Sequence, residues 1–102
     1  MISLFLVVWE FEVKPECEER FQQAYDAGGD WVQLFATDAN FEQSVLVKGH
    51  SRAHLYLTLD FWHSRQAYES FKQSKQEAYQ SLDRACQGLT VAERYIGAFE
   101  QV

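Results

Sequence analysis

The chain has no concentration of positive charge. Its formal net charge is −6, and its nine Lys and Arg residues are scattered singly. Phosphate backbones need a basic footprint, so nucleic acid is not expected as a partner. The sequence also lacks a Gly-rich phosphate loop, a Cys-x-x-Cys, a His-Glu-x-x-His and a nucleophile elbow, which counts against nucleotide-dependent and hydrolytic chemistry. No run approaches the roughly 20 apolar residues of a membrane helix. The apolar start, MISLFLVVWEFEV, has neither a basic leader nor a small-residue cleavage site. It reads as a first strand, and a cytoplasmic location is the expectation. Cysteine is scarce. Cys17 and Cys86 fall at opposite ends of two predicted helices, so free thiols are expected rather than a disulfide.

Aromatic residues are abundant, at 16% of 102 positions. A chain this short is one domain, residues 1–102, and its single core is small for so many rings. Some of them are therefore expected to face a ligand or a second subunit.

The segment from His54 to Phe71 carries the most information. Leu55, Leu57, Leu59 and Phe61 alternate with His54, Tyr56, Thr58, Asp60 and Trp62, the period-two pattern of a strand with two faces. Ser64 can then cap a helix whose Ala67, Tyr68 and Phe71 recur at helical spacing. Upstream, a strand over about Ser3 to Val13 precedes a helix begun by Pro15, with Cys17, Phe21, Ala24 and Tyr25 on one stripe and Gly28 as its stop. Asp30 is expected to cap a short helix bearing Trp31 and Phe35, with Gln33 as its capping-box partner. Phe41 to Lys48 reads as a second strand, and Gly49 to Arg52 as the hairpin into the third. A long helical region from Ser64 to Gln87 should break near Ser74 and Lys75, Gly88 ends it, and Thr90 to Gln101 closes the fold as a strand.

This order predicts an α+β fold: a ferredoxin-like βαββαβ arrangement with an antiparallel sheet and both crossover helices on one face. Apolar residues on both strand faces predict a second copy of the chain over the open face, making a homodimer.

The Pro-initiated helix and the junction Phe61-Trp62-His63-Ser64-Arg65-Gln66-Ala67-Tyr68 resemble the antibiotic biosynthesis monooxygenase family of dimeric α+β barrels over essentially the whole chain. The resemblance implies oxidation of a small phenolic or polyketide-like aromatic molecule by O₂ with no cofactor. An electron-rich substrate anion then reduces oxygen itself, while the protein excludes water and holds the oxyanion. The superfamily's haem-degrading branch is not expected. Its catalytic Trp falls at Phe71, its histidine ligand around Ser81 to Asp83, and its asparagine near Trp9. The same scaffold also leaves room for a non-redox isomerase or lyase, or for a non-catalytic ligand-binding dimer.

The candidate substrate pocket comprises Trp9, Trp31, Phe35, Tyr56, Trp62, Tyr68 and Phe71. Each has a structural alternative: Trp62 can plug the core beneath the helix, and Trp31 with Phe35 can form a lid or seal a dimer. The catalytic candidates are Asp60, His54 and Tyr56. Asp60 shares its face with Trp62, where a carboxylate is costly unless it pairs with Arg52, Arg94 or a backbone amide, or serves as a general base of raised pKa. His54 has the right chemistry for a base but sits where an exposed strand-edge histidine is common. His50, His54 and His63 bracket a turn and strand with no completing ligand, so no metal is expected.

Overall fold

The computed structural model describes residues 3–102; Met1 and Ile2 of the opening apolar run lie outside the described residues. Strand β1 (Phe5–Val13) is followed by a 3₁₀ turn (Pro15–Cys17), α1 (Glu18–Tyr25) and α2 (Asp30–Phe35). The hairpin β2 (Phe41–Lys48) and β3 (Leu55–Trp62) leads into α3 (Arg65–Ser74) and α4 (Gln76–Cys86). A second 3₁₀ turn (Gln87–Leu89) and β4 (Thr90–Glu100) complete the chain. The four strands form one antiparallel sheet in the order β2-β3-β1-β4, which is the expected ferredoxin-like α+β arrangement.

Alternation along the strands decides which residues meet the helices. On β1, Phe5, Val7, Phe11 and Val13 are buried on the helix side. Phe11 packs between Phe21 and Tyr25 of α1, with ring centroids 5.4 and 5.0 Å away. On β3 the helix side takes Tyr56, Thr58, Asp60 and Trp62, while Leu55, Leu57, Leu59 and Phe61 point the other way and are half-buried. The opposite face thus presents Leu6, Leu59 and Phe61, with Val47 and Phe99 exposed at its margins.

The long helical region breaks at Lys75, as the interrupted apolar stripe predicts. Ser64 caps α3 by accepting a hydrogen bond from the Ala67 amide at 3.0 Å. The connection between α1 and α2 differs from the expectation. α1 stops at Tyr25, three residues before Gly28, and the Asp26 side chain takes the Gly28 N–H at 3.0 Å in a local turn. Gly29, not Asp30, occupies the N-cap of α2. The reason is close approach: a Cβ on Gly29 would lie 2.5 Å from the Gln23 carbonyl oxygen. Asp30 is instead the first residue of the helix and pairs with Arg20 at 2.9 Å, and the Gln33 side chain reaches the Gly28 carbonyl.

His54 also departs from the strand pattern. It lies one residue before β3 with φ 64°, a left-handed conformation that a non-glycine residue seldom adopts. Its side chain explains the placement: Nδ1 meets Glu18 Oε1 at 2.6 Å, tying the hairpin to the start of α1. Both cysteines are free, and Cys86 is buried beside Tyr25 and Trp31.

Candidate functional site

A cavity of about 270 Å³ lies between the sheet and the helices. Its floor is built by strand alternation, with Trp9 and Phe11 from β1, Thr58 and Asp60 from β3, and Ser44 and Glu93 from the flanking strands. The break at Lys75 lets α3 and α4 cross the sheet in different directions, so that Tyr68 and Lys72 come from one helix and Tyr79 and Asp83 from the other. Trp31 and Phe35 of α2 close a wall.

Asp60 is the distinctive floor residue. Ser44 stands directly opposite it in the β2–β3 register and donates its hydroxyl hydrogen to Asp60 Oδ1. Burial pushes the Asp60 carboxyl up to about 6, although the hydrogen bond from Ser44 favours the charged form. Neither proposed arginine reaches it. Arg94 belongs to the opposite face of the sheet, where it pairs with Glu10, and Arg52 lies in the exposed hairpin loop at the far end of β3.

The phenols above the floor are held protonated. Burial, and then the neighbouring phenol of Tyr79 and the charge of Asp60, raise Tyr68. Burial raises Tyr79 to about 12, with Asp83, Asp60 and Glu93 adding to the shift. Both can therefore donate hydrogen bonds to an anion at neutral pH. Lys72 Nζ sits 5.3 Å from the Tyr68 ring centroid and 5.2 Å from that of Tyr79, bridging the two at the cavity's edge.

Of the residues expected in the pocket, Trp9, Trp31, Phe35, Asp60 and Tyr68 are brought together in the lining. Trp62, Phe71, Tyr56 and His54 are not. Trp62 is wholly buried behind the wall, ringed by Phe35, Phe41, Tyr68 and Phe71 at 5.0 to 5.6 Å. It plugs the end of the core, and its indole nitrogen has no hydrogen-bond partner. Phe71 packs against that plug. Tyr56 lies toward the other end of β3, its ring tilted against that of Phe21, with its hydroxyl accepting from Gln22 at 2.8 Å. His54 lies past that end, held by Glu18.

Ser44, Thr58, Lys72, Tyr79, Asp83 and Glu93 were not singled out by the sequence. For Ser44 a signal existed. A small polar residue on the same face of β2 as the apolar Leu46 suggests a polar partner across the ladder, but naming Asp60 requires the register. Among the described residues, no three His, Cys, Asp or Glu side chains gather as a metal-binding group. No helix among them is long and apolar enough to cross a membrane.

Residues 4–81 match the model of the antibiotic biosynthesis monooxygenase family. SnoaB, a cofactor-independent oxygenase from Streptomyces nogalater solved as a point mutant, is 18% identical with a TM-score of 0.68; the match covers 97% of this chain and 92% of that one. A provisional antibiotic biosynthesis monooxygenase from Bordetella bronchiseptica is 13% identical with a TM-score of 0.75, and 98% of each chain is covered. A conserved protein from Methanosarcina mazei is 12% identical with a TM-score of 0.73, over 99% of this chain and 95% of that one. At these identities the likeness is one of fold. No curated protein matches the chain.

Proposed function

Because the chain belongs to the antibiotic biosynthesis monooxygenase family, we propose that it is a cytoplasmic, homodimeric, cofactor-independent monooxygenase acting on a small phenolic or polyketide-like aromatic compound. The observation that carries the reading is Asp60, a carboxyl of pKa about 6 on the floor of an aromatic-walled cavity. A base is most effective when its pKa lies near the working pH. Asp60 meets that condition with no second charged residue as partner.

In this reading a flat ligand lies against Trp9, Phe11 and Trp31, and Asp60 removes the acidic proton of an anthrone-type CH₂ or a phenol. The resulting anion is stabilised by hydrogen bonds from Tyr68 and Tyr79, which stay protonated because they are buried. The anion transfers an electron to O₂, and recombination forms a carbon–oxygen bond to a peroxide. Cleavage of its O–O bond leaves a carbonyl on the ring and releases the second oxygen as water. The substrate supplies all the electrons, so CH₂ and O₂ become C=O and H₂O.

The open sheet face, with Leu6, Leu59 and Phe61 half-buried and Phe99 exposed, supports the second copy of the chain that the reading includes.

An oxygen electrode tests the activity directly. Anthrone and hydroxylated naphthalene substrates should give uptake matching quinone formed, with ¹⁸O from labelled gas in the product and no added metal or flavin. If a broad panel binds, as read by tryptophan quenching, yet consumes no oxygen, the monooxygenase reading is wrong. Proton exchange into the substrate without oxygen uptake would assign the same carboxyl to an isomerase.

A further inference from the structure

The cavity contains more negative charge than the base requires. Two strands and one helix each bring a carboxylate to its lining: Asp60 from β3, Asp83 from α4 and Glu93 from β4. Lys72 is the one cationic side chain in that lining, and its ammonium lies over the Tyr68 and Tyr79 rings. None of the ion pairs among the described residues involves Asp83 or Glu93. All three share the lining with Tyr79, which lies one helical turn before Asp83 on α4, and Asp83, then Asp60 and Glu93, add to the burial that keeps the Tyr79 phenol protonated.

The walls there are π faces. Glu93 stands opposite Phe11 in the β1–β4 register, with Tyr25 and Tyr79 lining the same space. Trp31 adds its ring to the wall, and the protonated Tyr68 and Tyr79 hydroxyls supply hydrogen-bond donors in the same lining. A ligand that fits this surface has a cationic end for the carboxylates and rings and an oxygen that can take a hydrogen bond.

We infer that the cavity selects an aromatic ligand bearing a phenolic oxygen at one end and a protonated amine at the other, with the ammonium held between Asp83 and Glu93. This rests on the reading of the same cavity as the substrate site and narrows its substrate class from phenols to amine-bearing phenols. An acid-bearing phenol of the same size meets like charge on three sides, opposed by Lys72 alone.

Isothermal titration calorimetry at pH 7.5 with three similar probes tests the inference without relying on turnover. Tyramine should bind at least about fivefold more tightly than 4-ethylphenol, and 3-(4-hydroxyphenyl)propionate most weakly. Glu93→Gln and Asp83→Asn should each reduce the lead of tyramine while leaving 4-ethylphenol unchanged; both side chains lie toward the cavity's edge, where the amide is nearly isosteric. The lead should also shrink in high salt. Equal binding of all three probes, a lead for the propionate, or no tyramine binding at millimolar concentration overturns it. Amine selection without oxygen uptake from any amine-bearing phenol would leave this inference standing and remove the monooxygenase reading. Oxygen uptake from neutral phenols with no preference for amines would do the reverse.

Discussion

The two faces of the sheet use the same strands for different ends. On the helix side, β2 and β3 interrupt the apolar pattern with Ser44, Thr58 and Asp60, and the helices above leave a cavity over them. On the other side the same strands carry Val45, Leu57, Leu59 and Phe61, and the neighbouring strands β1 and β4 add the ion pair Glu10–Arg94. Polar groups on a covered face are costly unless they are satisfied or used. Apolar groups on an open face are costly unless something covers them. In the proposed function the first face serves chemistry and the second association.

Trp62 separates the cavity from the end of the core, and its loss is expected to have the largest effect on the helix-side face. Trp62→Ala should cost about 3–5 kcal/mol by leaving a void among Phe35, Phe41 and Phe71. Trp62→Phe keeps most of the ring contacts and deletes an indole N–H that already lacks a partner, so it should cost much less. Urea unfolding of both variants checks the pair. If they are equally destabilised, the packing role is wrong.

Asp60→Asn comes next. It should lower activity by about 10²- to 10⁴-fold while keeping the fold, since the amide has the carboxyl's shape. The same residue sets a pH dependence of stability. Its folded pKa, about 6, lies above its ordinary value of 3.8, so the folded state holds the proton more tightly than the unfolded state does. Its contribution is fully present below about pH 4 and is lost as pH rises towards 6, a cost on the order of 2–3 kcal/mol. Thermal melts should show that decline in the parent chain and lack it in Asp60→Asn, which becomes relatively more stable at pH 8.

A change on the open face should act differently. Phe61→Lys should dissociate the proposed dimer at micromolar concentration, as read by sedimentation, while the cavity's ligand affinity falls only slightly. A parent chain that sediments as a monomer would instead make both faces independent of association. The smallest expected effect is at Ser44. Ser44→Ala removes a hydrogen bond that favours the charged carboxyl, so the alkaline-rising limb of activity should move to higher pH by less than about one unit.

The contrast between the faces was partly legible in the sequence. Period two on β3 separated Leu57, Leu59 and Phe61 from Tyr56, Asp60 and Trp62, and the capping Ser64 fixed where strand turns to helix. What periodicity could not give was distance along a face. Tyr56 and Trp62 share the Asp60 face, yet one lies at the Gln22 end and the other in the core plug, with the cavity between them. Ser44 and Glu93 enter the site through strand pairing with residues far away in sequence, and Tyr79 and Asp83 through the break at Lys75. Gly29 took the cap from Asp30 for a reason equally invisible locally, the approach of α1's backbone.

The most direct test is the pH profile of kcat/KM for oxygen uptake from an anthrone substrate, measured in the parent chain and in Asp60→Asn. A rising limb centred near pH 6 in the parent, absent from a variant slowed at least about 100-fold, is the expected result. A variant that retains the parent's rate and profile would contradict the role assigned to Asp60.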